Sequence, residues 1–449
     1  MAVWFGTTPV MVAPSGVAGP GAAPFFTGLA DSASFTSVMD ARLRAAQGVL
    51  DRLIAVRGQR TIDNTLRVYD DLSIALSAVS GPAGILASVH PDAAMRTAAE
   101  AVQQRVRALT ADLPLNRAVY DALVAIDPRL ADLETRYYLQ SQLRDFRLAG
   151  VDRDEPTRAR LSQLQRELVA AVQEFQRNIR DNNRTITVTD RRDLEGLPAD
   201  YLARHAPGPD GATMIATTDA DVRPFLTFAT HEEVRKRLYL EFANIGYPAN
   251  IAVLDRMVAL RDAIAKALGQ PNWATVDMLD RMSGDVQTVS TFIDRIVEAS
   301  GPPAAREYAE LFARKRQDVP DATGVTAWEN TYYAERVKRA QYDFDGQSVR
   351  PYFAYDRVTQ GLFDVTSTLY GVRFRLAQNI PVWHPSVTAY EMLESDTVIG
   401  RFYLDTHPRA NKPNNGAFTS IVRSGVAARQ LPEVVLVAAF PGEIGRAHV

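Results

Sequence analysis

Pro381 to Lys412 reads PVWHPSVTAYEMLESDTVIGRFYLDTHPRANK, and its punctuation decides the fold of this part of the chain. Val387 to Leu393 and Val398 to Asp405 are short runs of β-branched, aromatic and apolar residues, and Glu394, Ser395, Asp396 and Thr397 between them have turn chemistry. The pattern predicts a β-hairpin. A further run, Glu433 to Phe440 (EVVLVAAF), is almost wholly apolar, which predicts a strand buried on both faces. Upstream of the hairpin the periodicity is helical. The expected fold is therefore mainly α, a long helical body leading into a small β-sheet.

Outward from the hairpin, apolar residues recur at helical spacing. Val38, Leu43, Ala46, Leu50, Leu53 and Ile54 form one stripe, and Leu66, Tyr69, Leu72, Leu76 and Val79 form a second that starts after Asp63 or Asn64 as N-cap. Asp92 opens a third helix, and Leu115 to Ile126 and Leu130 to Leu148 follow. Thr157 to Asp181 has the clearest stripe, Leu161, Leu164, Leu168, Val172, Phe175 and Ile179, too short for a sustained coiled coil and suited to a helix bundle. Thr185 to Thr189 alternates like a strand, so residues 183–230 read as an irregular, extended insertion, with helices resuming at His231. Gly301, Pro302 and Pro303 read as a break between two helices, and Arg357 to Leu369 as the last helix before the hairpin.

Composition narrows the function classes. Lys plus Arg number 50 against 53 Asp plus Glu in 449 residues, a net charge of −3, so no overall field draws in nucleic acid or an anionic membrane. The absence of cysteine excludes disulfides, thiolate metal sites and a cysteine nucleophile. Residues 1–30 are apolar and rich in Pro and Gly, with Arg42 as the first basic residue, and so lack the charged start of a signal peptide. They are expected to form an irregular leader over the first helix of a cytoplasmic protein.

Four groups of residues invite a functional reading. His231, Glu232 and Glu233 resemble the start of a zinc helix, but position i+4 is Arg235, so an acidic first helical turn is the simpler assignment. Arg235, Lys236 and Arg237 form one basic run, read as a solvated face. Trp328, Tyr332, Tyr333 and Tyr342 lie at helical spacing and are read as core. His384 and His407 carry a geometric argument. For a turn about Ser395 and Asp396, facing residues sum to 791, which would set these two imidazoles opposite each other, about 5 Å apart. Pro381, Pro385 and Pro408 argue that the ladder ends before reaching them, which favours loop or core histidines held by hydrogen bonds.

Ten segments in order carry a resemblance: TIDNTL (61–66), VHPDAAMR (89–96), LNRAVYDAL (115–123), LRDFRLAGVD (143–152), LEGLPAD (194–200), ALGQPNWA (267–274), WENTYY (328–333), VTQGLFDV (358–365), VWHPSV (382–387) and GRFYLDTHPR (400–409). The chain resembles the thimet oligopeptidase, neurolysin and oligopeptidase A family of zinc metallopeptidases. The resemblance implies two helical domains facing across a channel. Residues 31–150 and 336–442 would form one, and residues 151–335 the other. It also implies zinc held by an H-E-x-x-H helix and a later Glu, with the motif's Glu as general base, and short peptides as substrates of a monomer that binds neither nucleic acid nor membrane.

The six histidines, His90, His205, His231, His384, His407 and His448, include no pair four residues apart, so the motif is absent. In the family it follows the strand matched by Val434 to Phe440. The expectation is a part of a zinc oligopeptidase that precedes the motif, inactive as it stands, with no catalytic or metal residue assigned. A non-catalytic helical peptide-binding or scaffold protein is the alternative. Asn415 stands where many relatives have His, which puts a substrate role for its loop in doubt. Glu443 to Val449 (EIGRAHV) break the resemblance and equal the translation of GAGATCGGAAGAGCACACGTC, the start of a sequencing adapter included, so they are expected to be a non-native tail.

Overall fold

The computed structural model describes residues 23–182, 184–344, 348–413, 417–427 and 429–440. Among them the chain first builds helices α1 (Ser32–Ala55), α2 (Arg67–Val89) and α3 (Ala93–Asp112). Asp31 caps α1 through the Ser34 N–H, and Asp92 caps α3 as its sequence predicts. The N-cap ahead of α2 is Thr61, not Asp63 or Asn64: Thr61 accepts from the Asn64 N–H while Asn64 accepts from Thr61, and a π-turn over Ile62–Leu66 leads into the helix. The stretch Ile62–Val89 is long and apolar enough to cross a membrane by length and composition. Burial explains its apolarity, because Tyr69, Leu72, Leu76, Val79, Ala83, Ile85 and Leu86 pack among the neighbouring helices and the sheet.

Helices α4 (Arg117–Val124), α5 (Leu133–Ala149) and α6 (Glu155–Arg180) follow, with Gly150 closing α5 in the left-handed region. Helix α6 packs in a bundle as its stripe predicts. Leu161, Leu164, Leu168, Val172 and Phe175 meet Val253, Met257, Leu260 and Ile264 of a later helix, while Ile179 is exposed.

Residues 184–230 are more ordered than their sequence suggests. Strand β1 (Thr185–Val188) pairs antiparallel with β2 (Thr213–Ala216), α7 (Ala199–Arg204) lies between them, and α8 (Asp219–Phe228) resumes the helices twelve residues before His231. Pro224 disguises α8. It costs one internal hydrogen bond, which burial of Val222, Phe225 and Leu226 offsets. Then come α9 (Glu232–Ala243), α10 (Ala249–Ala267), α11 (Trp273–Met278) and α12 (Val286–Asp318). Helix α12 runs unbroken through Gly301, Pro302 and Pro303, against the expected break. The carbonyls those prolines leave without donors belong to Glu298 and Ala299, both exposed, so water can replace the lost bonds.

After α13 (Asn330–Tyr342) and α14 (Tyr355–Tyr370) the chain forms β3 (Val372–Leu376), β4 (Thr388–Glu394), β5 (Thr397–Asp405), β6 (Phe418–Arg423) and β7 (Glu433–Val437). The predicted hairpin is β4–β5, turning at Ser395 with φ +53°. The sheet order is β3-β4-β5-β7-β6, with β7 parallel to β5 and antiparallel to β6. Val435 and Val437 are buried on one face, while Val434 and Leu436 on the other are half-buried, so β7 is interior to the sheet but not covered on both sides.

The inner face, with Ala389, Tyr403, Val422, Val435 and Val437, rests on α2 and α3. Phe25 and Phe26 of the leader are sealed into the same core, with the Phe25 ring centroid 5.2 Å from Tyr403 and 5.8 Å from Trp383. On the outer face Phe363 of α14 packs against Phe374, Tyr390 and Phe402, at centroid distances of 4.8, 4.9 and 6.0 Å. Beyond that contact α14 is open: Val358, Leu362, Val365 and Leu369 are each about half exposed or more.

Candidate functional site

The parallel strands β5 and β7 end together at Asp405 and Val437, and the polar residues of the hairpin stretch gather there. Asp405 has no exposed surface. Its Oδ2 accepts from Trp383 Nε1 at 2.8 Å, Arg409 grips both carboxylate oxygens at 2.5 and 2.7 Å, and Lys412 Nζ donates to Oδ1 at 2.8 Å. Burial pushes the Asp405 carboxyl pKa up, but Arg409, Lys412 and the Trp383 N–H outweigh it and hold the group below its ordinary value. The other Lys412 donors reach the carbonyls of Asp405 and His407, both at 2.6 Å, and Arg409 Nη2 reaches the Val89 carbonyl at 2.6 Å. Residues 406–412 are thereby wound around one carboxylate. Both cations serve this anchor.

The strand above it carries a second buried acid. Glu433, at 0% exposure, accepts from Tyr403 Oη at 2.6 Å and from the Phe25 N–H at 3.2 Å, and Arg423 lies 2.7 Å from its other oxygen. Burial and the Glu433 carboxylate raise the Tyr403 phenol pKa far above the usual range, so this hydroxyl remains a donor. The sequence holds a signal for both acids. A lone Glu at the head of an apolar strand, and an Asp followed by Arg at i+4 and Lys at i+7, mark carboxylates that burial obliges to find partners.

His384 and His407 do not face each other as a ladder pair. A bulge at Ile399 lets Met392 pair Gly400 while Leu393 pairs Val398, so residues below it sum to 792, and the ladder ends at Thr388 and Leu404. His384 Nδ1 lies 2.7 Å from Ser386 Oγ and accepts the Ser386 N–H at 3.1 Å. The His407 ring packs on Tyr355 at 4.9 Å, and Tyr355 Oη lies 2.6 Å from Thr406 Oγ1. Burial and Arg409 hold the His384 pKa below the usual histidine range.

Elsewhere the structure assigns the remaining candidates. His231 is the N-cap residue of α9, with Nδ1 3.3 Å from Asp193 and Nε2 4.0 Å from Glu195, and Glu232 accepts from Trp328 Nε1 at 3.1 Å. The basic run is not a solvated face. Arg235 is 1% exposed, stacks 4.0 Å over the Tyr332 ring and donates to the carbonyls of Ala229 and Thr230, while Arg237 donates to the Thr187 carbonyl at 2.7 Å. Lys236 lies 5.5 Å over the Trp328 ring. Tyr332 and Tyr333 are core as expected, whereas Tyr342 is exposed. Asn415 and His448 lie outside the described residues.

Among the described residues no three His, Asp or Glu side chains come together in a way that could hold a metal ion. At the hairpin end, one His384 nitrogen is engaged by Ser386, and Asp405 is saturated by Arg409 and Lys412. These residues do not fit a zinc ion.

What the fold belongs to follows from comparison. The profile of the family described as "Peptidase family M3" matches residues 225–447, from the middle of α8 through the whole sheet. The chain belongs to peptidase family M3. It is 30% identical over 414 residues to the organellar oligopeptidase A of Arabidopsis thaliana, covering 86% of this chain and 52% of that protein. It is 28% identical to the probable cytosolic oligopeptidase A of the same plant (87% and 58% covered) and 25% identical to oligopeptidase A of Escherichia coli (81% and 56% covered). The M3 chain described here thus spans about half the length of the curated relatives it matches. The profile match extends to Ala447, into the stretch that the sequence sets apart as a tail.

Proposed function

We propose that this M3 chain is the portion of a zinc-dependent oligopeptidase that precedes its metal motif, and that it has no peptidase activity by itself. The observation that carries the second half is chemical: no histidine has another four residues on, and no described cluster can hold a metal. Support for the first half is the family membership and the names of the relatives, oligopeptidase A among them. In this reading the helices of residues 31–150 and 151–335 flank a channel, the sheet of residues 336–442 lies beside the catalytic centre, and the substrates are short peptides. Its location is cytoplasmic, as the name of one relative says of that protein. It acts as a monomer, without nucleic acid or membrane.

Zinc would be held by residues outside those described and would supply Lewis-acid chemistry to such an enzyme. This chain's contribution is the scaffold: Asp405, Arg409 and Lys412 fix the loop after β5, and Glu433 fixes β7 against β5 and the leader. The test compares the chain with the product of the complete reading frame on a short quenched peptide and on intact casein. The reading expects zinc-dependent cleavage of the short peptide by the complete product alone, with casein spared. Equal turnover of casein, or no cleavage by the complete product, would contradict it.

A further inference from the structure

We propose that His205 is a pH-operated clasp, closed when the imidazole is protonated, that holds loop 206–212 and the start of α8 against α7. Both ring nitrogens face acceptors: Nδ1 lies 2.9 Å from the Tyr201 carbonyl oxygen, and Nε2 lies 3.1 Å from Asp221 Oδ1. A neutral imidazole has a single N–H and can satisfy one of them, leaving a lone pair against the other oxygen. The imidazolium donates to both.

The surroundings are built to hold that geometry. The imidazole stacks on the Tyr201 ring at 4.3 Å, and Tyr201, 1% exposed, donates its hydroxyl to the Asp221 carbonyl at 3.1 Å. The second Asp221 oxygen accepts from Thr218 Oγ1 at 3.0 Å, which fixes the carboxylate. The charged groups that face the ring are Asp221 from α8 and Arg204 from α7, and Arg204 is itself paired with Asp200 at 3.1 Å. Burial lowers the His205 pKa, but the Asp221 carboxylate and the Tyr201 carbonyl outweigh it, and the net shift is upward from 6.5. A histidine whose folded pKa is raised contributes stability that is fully present below about pH 6.5 and is lost as pH rises through the folded value.

The segment that opens is defined by the chain. Residues 206–212 (APGPDGA) connect α7 to β2 and are held internally by the Gly208 N–H to the Ala212 carbonyl at 2.8 Å and the Gly211 N–H to the Gly208 carbonyl at 2.9 Å. Among the described residues no hydrogen bond joins residues 206–212 directly to α8, so His205, which precedes them, is the contact that ties the start of the loop to that helix.

The test is imidazole NMR of the full chain combined with hydrogen exchange, corrected for intrinsic rate, over residues 206–212. The clasp predicts that His205 titrates above pH 6.5 and that loop exchange rises, by up to about tenfold per pH unit, from about pH 6.5 to that titration and levels off beyond it. His205→Phe, which keeps the ring stack on Tyr201, is expected to exchange at a rate independent of pH. If that variant does not fold, Asp221→Asn decides, because removing the carboxylate charge should bring the His205 titration below pH 6.5. A wild-type His205 that titrates at or below pH 6.5, or a His205→Phe loop with the wild-type pH dependence, would overturn the proposal.

Discussion

Lys412 Nζ lies 2.8 Å from Asp405 Oδ1, and neither side chain has exposed surface. A buried carboxylate that loses a cation is left with an uncompensated charge, so Lys412→Met is expected to lower the unfolding free energy by about 3–5 kcal/mol, read by urea denaturation. A loss under about 1 kcal/mol would show that Arg409 alone suffices.

The same anchor sets a pH dependence. Burial opposes the ionised form of Asp405, yet Arg409, Lys412 and Trp383 hold its folded pKa below the ordinary value. A carboxyl depressed in this way contributes stability present above its unfolded pKa of about 3.9 and lost as pH falls through the folded value. Asp405→Asn should therefore be less stable at neutral pH and show a shallower loss between about pH 4 and pH 2. An acid limb of unchanged steepness would count against the assignment.

Gly81 separates two effects of opposite sign. Alanine in the middle of α2 would gain roughly 1 kcal/mol of helix propensity. Its Cβ, however, would sit 2.7 Å from the Ile421 carbonyl oxygen and 2.9 Å from the Val422 Cα, both backbone atoms of β6. Overpacking against backbone costs about 1–3 kcal/mol, so Gly81→Ala is expected to lower Tm. A rise in Tm would mean that β6 yields.

Solubility distinguishes sequence from structure. If the apolar strand Glu433 to Phe440 were an unpaired edge, deleting residues from Leu431 onward would improve it. In the structure β7 pairs with both β5 and β6, so that deletion removes an interior strand and should worsen aggregation. The exposed stripe Val358, Leu362, Val365 and Leu369 is the better target, and Leu362→Lys with Val365→Lys should raise the soluble fraction. Equal solubility of all three forms would remove the argument.

These cases show where the sequence is legible. Helices with a clean stripe, such as α6, and the β4–β5 turn at Ser395 and Asp396 follow from local pattern. Strands β3 and β6 do not, because VRFRL and FTSIVR become strands through pairing with residues distant in the chain. Proline misleads in both α8 and α12, where burial or water offsets the missing donor. The ladder ends at Thr388 and Leu404, before His384 and His407, as Pro381, Pro385 and Pro408 announce, whereas no local signal announces the bulge at Ile399 that also shifts the register. Arg235 reads as part of a charged run until Tyr332 and the carbonyls of Ala229 and Thr230 are in place around it.

Sequencing the source gene through and beyond the codon for Gly442 tests the functional reading most directly. The reading predicts an open frame that encodes H-E-x-x-H within a few tens of codons, with a sequence other than EIGRAHV directly after Gly442. A natural stop codon following the present sequence, with no such motif in frame, would contradict it and leave a helical M3 scaffold that binds peptides without cleaving them.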